Sequence, residues 1–61
     1  MSLLEELREE INELVRLVRL SERYLTSIAA NPKLASDATH AEEIAREVRI
    51  GELRRRLGVT S

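Results

Sequence analysis

Residues 4–28, LEELREEINELVRLVRLSERYLTSI, decide how this chain folds. Leu4, Leu7, Ile11, Leu14, Val18, Leu25 and Ile28 follow one another at alternating steps of three and four, and Ser21 takes the one missing place. That spacing keeps one side of an α-helix apolar and reads as a heptad seam. A second apolar line runs through Leu3, Leu7, Leu14, Leu17, Tyr24 and Ile28, and Val15 and Leu20 widen it. One packed neighbour needs an apolar stripe of only about 100°. The surface around Val15, Leu17, Leu20 and Tyr24 therefore calls for a second neighbour.

The ends of this helix are written into the sequence. Ser2, with Glu5 three residues on, forms a capping box at the start. Asn31-Pro32 stops the helix, because proline lacks a donor and restricts the residue before it. The expected span is residues 3–30, about 42 Å at 1.5 Å per residue. Residues 31–38 read as a linker, and a second helical segment is expected over 39–57. Thr39 and Glu42 offer a capping box there, and Ser36 or Asp37 offers a cap one turn earlier.

The second segment carries two short apolar faces, one of Ala41, Ile44, Ala45 and Val48 and one of Ile50, Leu53 and Leu57. These point in nearly opposite directions, and Gly51 sits where the phase changes. Either the helix breaks near Gly51 or it continues and meets two different neighbours. Gly58 stands at the C′ place that commonly ends a helix.

Composition bounds the rest. With 61 residues the chain is one domain, and its core is marginal on its own. Small domains of this kind lean on disulfides, a metal or partner chains. There is no cysteine and one histidine, His40, so disulfides and thiolate or multi-histidine metal sites are excluded within one chain. No cofactor is expected. Phe and Trp are absent and no period-2 run occurs, which argues against strands. The net charge of -1 creates no global field for nucleic acid or membrane. No membrane-length apolar run and no targeting signal is visible, so a cytoplasmic location is the expectation.

Charge is nonetheless segregated. Glu5, Glu6, Glu9, Glu10 and Glu13 crowd the start, and Arg46, Arg49, Arg54, Arg55 and Arg56 crowd the end. Folding the chain back on itself lays acid beside base, which favours an antiparallel arrangement.

The fold expected is all-α: a helical hairpin that assembles with copies of itself into a four-helix or larger bundle. A symmetric dimer is favoured, with a higher oligomer as the alternative. The surface expected between chains comprises Leu7, Ile11, Leu14, Val15, Leu17, Val18, Leu20, Ser21, Tyr24, Leu25, Ile28, Ile44, Val48, Leu53 and Leu57. The Ser21 hydroxyl is expected to bond back to its own helix; the alternatives are a small residue permitting close helix approach or a polar register-setting contact. The glutamates are expected on solvated faces, His40 in solvent, and no small-molecule substrate or catalytic activity is foreseen.

Three resemblances accompany this reading. The agreement of caps, seam and charge resembles a de novo designed helical-bundle homo-oligomer. The stretch Arg49-Ile50-Gly51-Glu52-Leu53 followed by Leu57-Gly58-Val59-Thr60-Ser61 resembles the opening of the helix-turn-helix in mercury-resistance regulators. That resemblance implies a DNA-associated dimer with Arg54, Arg55 and Arg56 on phosphates, although the recognition helix is not among these 61 residues. Leu7, Arg8, Ile11 and Leu14 resemble the opening of the all-helical chorismate mutases, which implies a substrate-binding role for Arg8. Asn12 and Val15 stand where that family has acids, and Lys33 is the one loosely placed further cation. The order of preference is assembly module, DNA-associated dimer, enzyme.

Overall fold

A computed structural model describes residues 2–58. They form two antiparallel helices, α1 over Leu3–Ala30 and α2 over Asp37–Arg56, joined by a 3₁₀ turn at Pro32–Leu34. No strand occurs among the described residues.

The caps explain the boundaries. Ser2 accepts a hydrogen bond from the Glu5 backbone N–H at 3.2 Å and opens α1. Asn31 leaves helical geometry at φ -147° while its N–H still donates to the Ser27 carbonyl at 2.9 Å. Its side-chain oxygen accepts from the Lys33 N–H and starts the 3₁₀ turn, with Pro32 in the first position, where a missing donor costs nothing. α2 starts three residues earlier than the Thr39–Glu42 pattern suggests. Ser36 is its N-cap: the Ser36 hydroxyl accepts from the Thr39 N–H at 3.1 Å, and the Thr39 hydroxyl oxygen accepts from the Ser36 N–H at 2.9 Å. Thr39 thus sits at the N3 place of a capping box rather than at the cap itself. The earlier start adds one turn to the helix that must lie against α1.

α2 does not break at Gly51. A Cβ built there would meet nothing closer than the Arg55 guanidinium at 3.7 Å, an ordinary contact. The chain therefore passes through the glycine as regular helix, and the two apolar faces of α2 stay on opposite sides of it. Leu57 caps the end, and Gly58 follows at φ 74°, the left-handed conformation that glycine adopts without strain. Val59, Thr60 and Ser61, the turn of the helix-turn-helix resemblance, lie outside the described residues.

Candidate self-association surface

The hairpin seam comes first, because it decides what is left outside. On α1, Glu10, Glu13, Leu14, Leu17, Ser21, Tyr24 and Ile28 are half-buried. On α2, the facing series is Glu43, Arg46, Ile50, Leu53 and Leu57, again at steps of three and four. Only Leu53 among the described apolar side chains is fully buried, at 0% exposure. It lies between two cross-helix ion pairs. Arg49 grips Glu13 with both arms, Nε to Oε2 at 2.8 Å and Nη2 to Oε1 at 3.0 Å, and also reaches Glu52 at 3.2 Å. Arg56 pairs with Glu10, two turns further along α2 and about one turn nearer the start of α1. The acidic start of α1 thus lies beside the basic end of α2, as the charge pattern predicts. The Arg49 hydrogen bonds hold the Glu13 carboxyl below the ordinary carboxylate range, against the opposing pull of burial. The same contacts, first Glu13 and then Glu52, push the Arg49 guanidinium still further up.

Two expectations about polar residues are corrected. Ser21 does not bond back to its own helix. Its hydroxyl donates to Glu43 Oε1 at 2.5 Å, across the hairpin. Glu43 is not on a solvated face: it is 4% exposed, held by Ser21 and by Arg46 at 3.3 Å. Its second oxygen is buried without a hydrogen-bond partner. A carboxylate placed this way costs free energy unless it is matched. Hydropathy periodicity could not have located Glu43. Its place in the Glu43, Arg46, Ile50, Leu53, Leu57 series was the available signal.

The residues expected between chains divide into three sets. Leu53 is wholly enclosed within one hairpin, where it faces α1 between the two ion pairs. Leu14, Leu17, Ser21, Tyr24, Ile28 and Leu57 lie half-buried on the hairpin seam. Leu7, Ile11, Val15, Val18, Leu20, Leu25, Ile44 and Val48 remain exposed. Leu3 and Leu4 lie past the Arg56–Glu10 pair, beyond the end of α2, and are 72% and 69% exposed.

The exposed set has a shape. Leu4, Ile11, Val18 and Leu25 recur every seventh residue and lie about 90° around α1 from the seam, at 3.6 residues per turn. Leu4, Leu7 and Ile11 line a shallow groove at the free end of α1, with Arg8 at its edge. Val18 and Leu25 continue as one wall of a second groove whose other wall is Ile50 and Gly51 of α2. Ile44 and Val48 point away from α1 and form a smaller outer patch.

No known protein family, curated protein or solved structure matches this chain. The geometry must therefore speak for function. Among the described residues no three His, Cys, Asp or Glu side chains gather as a metal site, and no helix is long and apolar enough to cross a membrane. Arg8 and Lys33, the two cations of the chorismate-mutase resemblance, lie near opposite ends of α1, more than about 30 Å apart at 1.5 Å per residue. Of the arginines in the helix-turn-helix resemblance, Arg49 and Arg56 are engaged in ion pairs with α1.

Proposed function

We propose that this chain is a structural self-assembly module without catalytic activity: a helical hairpin that associates with a second copy as a symmetric dimer, forming a four-helix bundle. The driving force is removal of apolar surface from water, at roughly 25 cal/mol per Å². What supports it is the distribution of burial. One apolar side chain is enclosed, while eleven large ones, from Leu3 to Val48, are exposed. Monomeric proteins scatter exposed apolar residues singly, and a contiguous line of them marks an interaction surface. Here the line runs from Leu4 to Leu25 along one side of α1. Ile44 and Val48 form a separate, smaller exposed patch on the far side of α2, outside this line.

Thermal unfolding followed by circular dichroism over a hundredfold range of protein concentration tests this. Association stabilises by mass action, so the midpoint should rise with concentration. A midpoint independent of concentration would refute the proposal.

A further inference from the structure

The outward face of α1 is self-complementary when it is read backwards. A two-fold axis perpendicular to α1 between Leu14 and Val15 sets Leu4 opposite Leu25 of a second copy and Ile11 opposite Val18, because 4 + 25 and 11 + 18 share one midpoint. All four side chains are among the exposed ones. Val15, also exposed, then falls next to the axis and meets its own copy. At the rim, Arg8 comes within one residue, about 1.5 Å along the helix axis, of Glu22 of the second copy, twice by symmetry, an offset both long side chains can span. Both side chains are exposed, and neither has an ion-pair partner among the described residues.

The geometry points to an antiparallel α1–α1 contact between two copies of this chain, centred beside Val15 and held in register by two Arg8–Glu22 pairs. We infer this on the assumption, made above, that the hairpin dimerises; what is added is the face, the direction and the register. A parallel pairing would place Arg8 on Arg8, Glu22 on Glu22 and acid on acid, and like charges in facing positions are destabilising. The antiparallel pairing also covers the free end of α1, since Leu4 lies beyond the end of α2 and is exposed. An isologous contact of this kind closes on itself and stops at two copies.

Single-cysteine variants test the direction, because the chain has no other thiol. With a short bis-maleimide, Val15→Cys should be linked into a covalent dimer, and Leu4→Cys, whose two copies lie at opposite ends, should not. Charge exchange tests the register. Arg8→Glu or Glu22→Arg alone should weaken dimerisation roughly tenfold, with two rim pairs turned repulsive, and the double variant should recover it. Efficient linking of Leu4→Cys would overturn the antiparallel direction. No linking of Val15→Cys and no recovery in the double variant, with the unmodified chain still at two-copy mass, would overturn this face and leave the assembly reading standing. A single-copy mass for the unmodified chain would remove both.

Discussion

The two helices of the hairpin solve opposite problems. α1 has more apolar surface than one neighbour can cover: a seam from Leu14 to Ile28 against α2, and a second line from Leu4 to Leu25 left outside. α2 has less than its neighbour could use. Two of its five seam positions are charged, Glu43 and Arg46, and its large apolar residues are divided between Ile50, Leu53 and Leu57 on the inside and Ile44 and Val48 on the outside. A helix that is strongly apolar along one broad side is placed to be the centre of an assembly. A helix with a polar seam and a split apolar surface is placed to be its flank.

That contrast can be broken or sharpened by substitution. The largest effect is expected at Leu53, the one enclosed apolar side chain. Leu53→Ala should cost about 2–5 kcal/mol of hairpin stability, and a chain this small should lose most of its helical signal at 37 °C. A loss below about 1 kcal/mol, measured by urea unfolding, would mean that α2 is held to α1 mainly by its charges. Next is the polar end of the seam. Ser21→Ala removes the donor to Glu43 and leaves more of a buried carboxylate unmatched, so it should cost about 1–3 kcal/mol. Adding Glu43→Leu to that variant should restore the stability while loosening the helix register, seen as broadened amide resonances. Stability still depressed in the double variant would show that the carboxylate contributes more than register.

The smaller effects discriminate more finely. Gly51→Ala has room for its methyl group and should stabilise by about 0.5–1 kcal/mol, because no positive φ or close neighbour requires glycine in the free hairpin. If it stabilises the hairpin yet weakens dimerisation, then a second chain approaches α2 closely at Gly51. The acid dependence comes last. The Glu13 carboxyl titrates below its usual range, chiefly because Arg49 donates to it. Its contribution is therefore present above the unfolded value of about 4.3 and is lost as pH falls through the lower folded value. Stability should decline below about pH 4, and Glu13→Gln should flatten that part of the profile.

How much of this was legible in the sequence depends on the helix. The extent of α1 was readable: the three-four spacing, the Ser2 cap and the Asn31-Pro32 stop all act locally, so its expected and observed bounds coincide. α2 was readable only at its ends. Its middle depends on tertiary partners, because Glu43 and Arg46 occupy seam positions that hydropathy assigns to solvent, and Ser21 and Glu43 are visible as a pair only when the hairpin closes. Gly51 posed a choice between break and continuation that propensity alone does not decide. Neighbouring turns of helix on both sides decide it for continuation, since one glycine costs about 1 kcal/mol and the cross-helix pairs of Arg49 and Arg56 hold the segment in place. The exposed line on α1 was legible as surplus apolar surface. Its separation from the seam was not, because the sequence lists Leu14 and Leu17 alongside Ile11 and Val18 without showing which of them α2 covers.

Leu17, half-buried on the seam, would be a poor probe of association, since a charge there would also open the hairpin. Ile11 is exposed and on the outward line, which makes it the clean one. Sedimentation equilibrium of the unmodified chain beside Ile11→Glu, both at micromolar concentration, tests the central claim most directly. The unmodified chain should sediment at twice its 7.0 kDa mass, and the variant should keep its helical signal at the mass of one chain. A stably folded unmodified chain at 7.0 kDa would contradict the account.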